Sequence, residues 1–205
     1  MSSSEKENYQ TIVKPAATEF KDRGSRFLSF ACPIERAAEF KDKLQKLKKD
    51  HPKAAHHCFA YRLGIDENNF RAGDDGEPSG TAGRPILGQI DSRELTNVLV
   101  VVVRYFGGTM LGVPGLINAY KTAASLVLQI TPVIQKPVEI KYRLEFDYTR
   151  LNEVMTLLKQ FNCSVSGREN QLFCAVDAGL PKSRLKEILY RLGEMHEVKT
   201  EKVSL

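Results

Sequence analysis

The sequence predicts an α+β protein of two domains, and three observations lead to that prediction. The chain has 205 residues, which is enough for one large domain or two small ones. Apolar side chains alternate in some stretches and recur at three- and four-residue steps in others, so both strands and helices are expected. Pro132 and Pro137 interrupt the chain, and the pattern changes between them, which predicts domains over residues 1–135 and 136–205.

The composition excludes several classes of protein. Apolar residues make up 42% of the chain and there are four Cys, which excludes a disordered chain, a collagen and a disulfide scaffold. No apolar stretch reaches the roughly 18 residues of a membrane span. The first ten residues are charged and lack the apolar centre of a signal peptide, so we expect a cytoplasmic protein with reduced thiols and no membrane partner.

The first domain begins with extended segments. Residues 11–20 and 26–32 are predicted to be two antiparallel strands separated by residues 21–24, where Gly24 supplies the positive φ of the hairpin turn. Apolar residues at helical spacing then predict a helix over 37–50, which His51-Pro52 ends. A strand follows over 54–63, and residues 64–83 are expected to be irregular, with a helix starting near Thr81.

Two strongly apolar elements complete the first domain. Residues 95–103 are rich in Val on both faces of the predicted strand, which is typical of a fully buried strand. Pro114 then opens a helix that reaches Ile130, because proline at the first helical position gives up no needed hydrogen bond. The polar residues of this helix lie on one stripe, which leaves a single face for solvent or a ligand: Asn118, Lys121, Ser125 and Gln129.

The second domain repeats a strand–helix–strand pattern. Strands are predicted over 139–146, 163–166, 172–176 and 198–203, and helices over 151–161 and 185–192. The two central strands flank a turn around Gly167 and Asn170. The order β-α-β-β-α-β is that of a ferredoxin-like sandwich.

The net charge of +5 belongs mainly to the first domain. Residues 1–136 carry 19 basic and 15 acidic side chains, whereas residues 137–205 carry 11 and 10. Part of the excess lies on the helix over 37–50, where a solvated face is the simplest interpretation. The charge favours a nucleic-acid partner for the first domain only weakly.

The segment GDDGEPSGTAG, residues 73–83, is the first candidate site. Its glycines let the backbone approach a ligand, and Ser79 and Thr81 are placed to cap the following helix, whose free N–H groups can bind an anion. Asp74, Asp75 and Glu77 repel a phosphate unless a cation such as Mg²⁺ intervenes. The alternative is a structural loop whose acids pair with arginines, for which the candidates are Arg62, Arg71 and Arg84.

The segment RYFGGTMLGVPG, residues 104–115, is the second candidate. A glycine-rich turn between a buried strand and a helix is a common place for ligands in α/β sheets, and Arg104 and Tyr105 add a cation and a stacking surface. The segment lacks both the Walker and the dinucleotide fingerprints. Alternatively, Arg104 pairs with Asp74 or Asp75, and Tyr105 and Phe106 are core residues.

A third segment, residues 51–62, contains His56, His57 and Cys58. Zinc sites use two spaced pairs of ligands, and the remaining Cys and His residues show no such spacing. Strand alternation places His56 and Cys58 on one face and His57 on the other, so one set is expected in the core. We therefore assign no metal ligand and no catalytic residue.

Three of these segments together resemble the Impact family, in its bacterial YigZ-like branch: AAHHCFAYR at 54–62, DDGEPSGTAGRPIL at 74–87 and VVVVRYFGGTMLGVPGL at 100–116. The resemblance implies a first domain with the βαβ fold of a ribosomal-protein and elongation-factor-G domain. The second domain resembles a ferredoxin-like translation-factor domain. The motif residues are Arg62, Asp74, Asp75, Glu77, Ser79, Thr81, Arg104, Tyr105, Gly107, Gly108 and Gly112.

The sequence departs from the family pattern close to this motif face. The family usually has Lys where Met110 stands, Gly where Pro114 stands and Arg where Asn118 stands. Two cations are therefore replaced, and Lys121, about one turn from Asn118, restores one of them. We include Lys121 in the predicted binding face.

By analogy with the folds of ribosomal-protein and translation-factor domains, the resemblance implies a translation-associated regulatory protein that binds RNA, the ribosome or a translation factor. Eukaryotic relatives regulate translation by competing for the activator of a kinase, a role that is not carried over to this chain. Those relatives carry an extra N-terminal interaction domain, which is not expected here because strands begin by about Thr11. Two alternatives stay open. One is a hydrolase or phosphoryl-handling enzyme that uses the acids of residues 74–77 with Mg²⁺, and apart from this alternative no cofactor is expected. The other is a protein-interaction module that regulates translation.

Overall fold

The computed structural model describes residues 6–66, 68–170 and 173–203. The chain forms two compact units. The first is built on Tyr9–Lys136. The second is built on the residues from Pro137 onward, together with a short N-terminal segment that ends at Asn8. In that segment the carbonyl of Glu7 accepts a hydrogen bond from the N–H of Val138 at 2.8 Å.

The first domain contains seven strands and three helices in its described residues. The strands are β1 (Asn8–Ile12), β2 (Ala16–Asp22), β3 (Ser25–Pro33), β4 (His56–Arg62), β5 (Phe70–Gly73), β6 (Val98–Tyr105) and β7 (Val133–Pro137). The helices are α1 (Ala37–Asp50), α2 (Gly83–Asp91) and α3 (Gly112–Ile130). Strands β1 and β7 pair with each other, and the other five form one sheet in the order β2-β3-β6-β4-β5.

Strand β6 is the centre of this sheet. It pairs antiparallel with β3 on one side and with β4 on the other, so β3 and β4 run parallel to each other with β6 between them. Because α1 connects β3 to β4, these elements form a split βαβ unit. The sheet is thus wholly antiparallel although it contains a βαβ crossover.

The core of the first domain has two layers, one on each face of the sheet. Val98, Val100 and Val102 pack with α2 and α3, whereas Leu99, Val101 and Val103 pack on the side of α1. All six side chains are fully buried, which confirms the prediction of a strand with two apolar faces.

The predicted hairpin near Gly24 is confirmed. Asp22 pairs with Ser25, so the loop consists of Arg23 and Gly24, with φ of 44° and 84°. Two positive φ values are typical of the type I′ turn that matches the twist of a two-residue hairpin.

The prediction of one strand over residues 11–20 was wrong. The structure divides that stretch into β1, which ends at Ile12, and β2, which begins at Ala16. Pro15 lies in the break, where a residue without an N–H group cannot donate to a ladder. The two strands also have different partners, since β1 pairs with β7 and β2 pairs with β3.

Other boundaries in the first domain also differ from those predicted. Strand β5 lies within residues 64–83, which were expected to be irregular, and β7 occupies the predicted interdomain break. The buried strand begins at Val98 rather than at residue 95, because Leu95 forms an isolated bridge with Gln10. Helix α3 begins at Gly112, so Pro114 lies within its first turn rather than at its first position.

The second domain has the predicted β-α-β-β-α-β order. Its elements are β8 (Glu139–Asp147), α4 (Leu151–Gln160), β9 (Ser164–Asn170), β10 (Phe173–Pro181), α5 (Leu185–Gly193) and β11 (Lys199–Lys202), with short 3-10 turns at Tyr148–Arg150 and Lys182–Arg184. The sheet order is β11-β8-β10-β9, so β8 and β9 flank β10 as a second split βαβ unit. Buried residues of α4 and α5 pack on the sheet face that carries Leu144, Val176 and Leu180.

The predicted turn around Gly167 and Asn170 was wrong. Both residues lie in β9, where Gly167 faces Asp177 and Asn170 faces Cys174 on β10. The predicted first residue of the next strand, Leu172, lies outside the described residues. A β-bulge shifts the register between Asp177 and Ala178, whose partners on β9 are Gly167 and Val165.

Candidate functional site

The loop between β5 and α2 folds around the side chain of Asp74. One carboxylate oxygen accepts hydrogen bonds from the N–H groups of Ala82 at 3.0 Å and Gly83 at 2.8 Å, and the other accepts from Gly80 at 2.9 Å. Burial opposes ionisation of this carboxyl, but the three N–H bonds outweigh it and lower the pKa of Asp74. Asp74 therefore closes the loop and caps α2.

The predicted capping of this helix by Ser79 and Thr81 was wrong. The helix begins at Gly83, after Ala82, and neither hydroxyl caps it. The Thr81 hydroxyl is buried and donates to the carbonyl of Pro78 at 2.7 Å, whereas Ser79 is exposed. Asp74 lies nine residues upstream of Gly83, too far along the chain for the usual local capping pattern.

Asp75 joins this loop to α1 and to the start of β4. Its carboxylate accepts from Lys48 Nζ at 2.8 Å and from the N–H of His57 at 2.7 Å. Its backbone φ is 42°, in the left-handed region that Asp tolerates better than most residues. The predicted partners Arg62, Arg71 and Arg84 are thus replaced by a lysine of α1.

Glu77 is buried between two elements that lie far from it in the sequence. Its Oε1 accepts from Arg104 Nη1 at 2.6 Å and from the Tyr120 hydroxyl at 2.7 Å. The side chains of Glu77 and Arg104 are only 3% and 6% exposed. One carboxylate therefore joins the loop to the end of β6 and to the middle of α3.

Arg104 makes further contacts that fix the turn after β6. Its Nη2 donates to Ser25 Oγ at 3.3 Å, and the same oxygen accepts from the N–H of Gly107 at 3.3 Å. The guanidinium also lies over the rings of Phe27 and Phe106, each at 5.6 Å from the centroid. These contacts neutralise and enclose a cation that would be costly to bury alone.

Cys58 lies at the edge of the same cluster. Its sulfur is 3.0 Å from the carbonyl oxygen of Asp74 and 3.3 Å from the hydroxyl of Tyr120. Burial raises the pKa of the Cys58 thiol and that of the Tyr120 hydroxyl. Both groups are therefore neutral near pH 7, and Cys58 lacks the thiolate that a nucleophile requires.

We call this set of residues the buried polar cluster: Ser25, Cys58, Asp74, Glu77, Arg104 and Tyr120. Sequence reasoning missed Ser25 and Tyr120 as members. Tyr120 lies among Ala119, Ala123 and Ala124 on the buried face of α3. A single hydroxyl in a row of small apolar residues is the sequence feature that could have indicated a buried hydrogen bond.

Two predicted site residues lie away from the cluster. Tyr105 follows Arg104 on β6, so it points to the opposite face of the sheet, where its hydroxyl is 3.0 Å from His51 Nδ1. Arg62 lies at the far end of β4 from His56 and pairs with Asp91 at 2.7 Å. Tyr105 is therefore separated from the cluster by the alternation of side chains along β6, and Arg62 is separated from it by the length of β4.

The remaining predicted residues lie at or near the protein surface, the three glycines beside the start of α3 and Lys121 in the middle of that helix. Gly107 packs so closely on the β2–β3 hairpin that a Cβ there would lie 1.9 Å from the carbonyl carbon of Gly24. Gly108 and Gly112 are exposed and have φ of 87° and 69°. Lys121 is exposed, one residue after the buried Tyr120.

The acids of the loop are all engaged by protein groups. Asp74 caps a helix, Asp75 binds Lys48, and Glu77 binds Arg104 and Tyr120. In the described part of the chain, no three His, Cys, Asp or Glu side chains are grouped so that they could hold a metal ion.

The described helices include none that is long and apolar enough to cross a membrane.

The fold and the cluster together define a class of protein: two split βαβ domains, the first of which uses glycine-rich motifs to enclose a buried ion pair. The profile of the Impact N-terminal domain matches residues 23–128, and the chain belongs to the Impact family. That span contains every residue of the buried polar cluster.

Individual relatives cover the chain to different extents. IMPACT family member YigZ of Escherichia coli is 29% identical and covers 92% of this chain and 93% of its own. YvyE of Bacillus subtilis is 36% identical over 75% of this chain and 70% of its own. A crystal structure described only as that of a hypothetical protein is 27% identical, with a TM-score of 0.77 over 97% of this chain and 98% of its own. The Protein IMPACT homolog of Saccharomyces cerevisiae is 33% identical over 56% of this chain and 45% of its own.

Proposed function

We propose that this protein regulates translation in the cytoplasm by binding a component of the translation machinery, and that the exposed turn after β6 and the start of α3 form the contact surface. Membership of the Impact family supports the biological role, because the resemblance links its eukaryotic members to translational control. The geometry of the site supports binding as the mode of action.

One observation carries the mode of action. The acids of residues 74–77 hold the loop, α1 and α3 together, and separating Glu77 from Arg104 would leave a buried charge unpaired. Meanwhile the side chains of Phe106 and Met110 remain 55% and 86% exposed in the adjoining turn. A rigid base beneath an exposed apolar turn is the arrangement expected of a recognition surface.

The second domain gives less support to RNA binding. RNA-binding sheets of this topology stack bases on exposed aromatic side chains. Here the uncovered face of β8 and β10 carries charged residues that pair with each other, such as Arg143 with Asp177 at 3.4 Å and Lys141 with Glu139 at 3.3 Å. A paired, mixed-charge face presents neither an aromatic platform nor a basic one.

The experiment that tests this proposal is co-sedimentation with ribosomes and ribosomal subunits, combined with a cell-free translation assay. We expect the wild-type protein to migrate with a ribosomal fraction and to change the translation rate, and the variant Met110→Ser to lose both effects. Ile130→Ser is the matched control, because Ile130 is 58% exposed at the other end of α3. The proposal is wrong if the wild-type protein neither sediments with any ribosomal fraction nor alters translation.

A further inference from the structure

The lysines of α1 lie on both sides of the helix, whereas its acids lie on one side. On that side, residues of opposite charge are four positions apart, which makes them neighbours on a helix. They are Glu39 with Lys43, Asp42 with Lys46, and Lys46 with Asp50. On the other side, Lys41 and Lys48 are seven positions apart, or about two turns, and the uncharged Gln45 lies between them.

The side that carries Lys41 and Lys48 faces strand β5. Lys48 Nζ donates to Asp75, in the loop that follows β5, at 2.8 Å. The guanidinium of Arg71, on β5 itself, lies 5.9 Å from the ring centroid of Phe40, the buried anchor of α1. We call the cations along this junction of α1 and β5 the basic seam: Lys41, Lys48, Lys49 and Arg71.

Most of the charge in the basic seam is not neutralised. Lys48 is offset by Asp75. Lys41, Lys49 and Arg71 are exposed, and none of them forms an ion pair with another described residue. A helix surface that serves only solubility does not require its acids to be kept to one side. The separation of signs therefore favours an anionic ligand over a solvated face.

The side chains of the seam do not suit a protein partner or a membrane. Protein interfaces are depleted of Lys and centred on apolar side chains, but α1 exposes no large apolar side chain along its described length. A helix that lies on a membrane also needs an exposed apolar face. Phosphate groups of a nucleic acid, in contrast, are bound by Lys and Arg without regard to base sequence.

The rings near the seam favour folded RNA over a single strand. Proteins that bind single strands stack the bases on exposed aromatic side chains. Phe40, Phe59 and Tyr61 lie beneath α1 and are all buried. Phe70 is half exposed, but it lies on the opposite face of β5, under Arg62. Cations without a stacking surface suit a double-stranded RNA, which is recognised by its shape and its backbone.

We infer that the basic seam binds the phosphate backbone of folded RNA. The inference goes beyond the proposed function, because it assigns a ligand class to a surface other than the turn after β6. Lys41, Lys49 and Arg71 contact phosphates, while Lys48 stays on Asp75. Lys41 and Lys48 are separated by about 10 Å along the helix axis, so the seam is long enough to reach more than one phosphate of a strand.

The test uses the full chain and a fluorescently labelled RNA hairpin of about twenty base pairs, with binding followed by fluorescence anisotropy at several salt concentrations. Three phosphate contacts predict that the affinity falls about fortyfold between roughly 50 and 200 mM salt. Lys41→Gln and Arg71→Gln should each weaken binding severalfold and lower the slope of log affinity against log salt by about one. A second hairpin of different sequence should bind equally well.

The matched control is Lys46→Gln, which removes the same charge from the same helix on the side that carries the acids. We expect this variant to bind the hairpin like the wild type, with the same dependence on salt. Circular dichroism of each variant checks that the helix is retained, and Gln is a good helix former.

Four results would overturn the inference. The hairpin fails to bind; Lys46→Gln weakens binding as much as Lys41→Gln, so that only the overall charge matters; a polyglutamate peptide displaces the hairpin and binds more tightly; or a single-stranded oligouridylate binds more tightly than the hairpin. If the hairpin fails while ribosome co-sedimentation still depends on Met110, the inference falls and the proposed function stands. If hairpin binding depends on Lys41 while ribosomes and translation are unaffected, the proposed function falls alone.

Discussion

The two domains share one topological plan and differ in how they bury its central strand. Strand β6 of the first domain lies between α1 on one face and α2 and α3 on the other. Strand β10 of the second domain is covered by helices on one face, so Val176 is buried while its neighbours Ala175 and Asp177 are partly exposed. The split βαβ unit therefore fixes strand order and direction but leaves open how many faces are covered.

The difference decides what happens to charged residues on the central strand. In the first domain, Arg104 is enclosed and meets Glu77 at 2.6 Å with both side chains nearly inaccessible. In the second, Asp177 meets Arg143 at 3.4 Å on the uncovered face, with side chains 43% and 35% exposed. A charge on a doubly covered strand requires a buried partner, whereas a charge on a singly covered strand is solvated.

Breaking the buried pair should have the largest effect. The variant Glu77→Gln leaves the Arg104 cation without its counter-ion, and we expect a loss of about 3 kcal/mol from the free energy of unfolding of the first domain. Urea denaturation followed by circular dichroism measures the loss, and hydrogen exchange of the β6 amides assigns it to that domain. The double variant Glu77→Leu, Arg104→Met should recover most of it, because it removes both charges. A single variant as stable as the double one would contradict the comparison.

Crowding the turn after β6 should come next. In Gly107→Ala the new Cβ meets the carbonyl carbon of Gly24 at 1.9 Å, so the hairpin must move and Ser25 loses its contacts. We expect a loss of about 2 kcal/mol. The matched control in the second domain is Gly193→Ala, where nothing lies within 4 Å, and there we expect no loss. Equal thermal midpoints for the wild type and Gly107→Ala would show that the turn is not held tightly.

Removing the helix cap should have a smaller effect that depends on pH. The variant Asp74→Asn loses part of the carboxylate network, and we expect a loss of about 1 kcal/mol at neutral pH. The pKa of Asp74 is lowered in the folded state, so its stabilisation is complete above about pH 4 and disappears as the pH falls through the folded value. Unfolding of wild type and variant, measured from neutral to acid pH, should therefore converge. A constant difference down to the lowest pH would argue against this role.

The smallest effect is expected on the uncovered face of the second domain. Asp177→Asn removes an exposed ion pair, which contributes about 0.5 kcal/mol or less. Thermal unfolding at low and high salt should show almost no change relative to the wild type. A loss as large as that of Glu77→Gln would mean that the face is covered in solution.

Much of the fold followed from local patterns. The Val-rich run predicted a strand with two buried faces, and Gly24 predicted the hairpin, because each signal acts over a few residues. The divided first strand was missed because the prediction extended one strand across Pro15, whereas β1 and β2 pair with different strands. Strand β5 was missed because its pairing with β4, and not its composition, makes it a strand.

The candidate site was predicted less completely. The motifs identified Asp74, Glu77 and Arg104. No local signal, however, indicates that Arg104 pairs with Glu77 rather than with Asp74 or Asp75. Tyr105 was grouped with Arg104 as a ligand contact, although neighbouring strand residues point to opposite faces. Tyr120 was missed because its role arises from a contact 43 residues away along the chain.

The sequence by itself determined the two domains' class, the order of most elements, the family and the glycine-rich segments, since periodicity, turn chemistry and motifs are properties of nearby residues. Tertiary structure alone decided which acid meets Arg104, which residue caps α2 and which apolar side chains stay outside the core. The physical reason is that burial and ion pairing depend on surfaces brought together from distant parts of the chain, and here β6 and α3 meet the loop of residues 74–82 only in the folded domain.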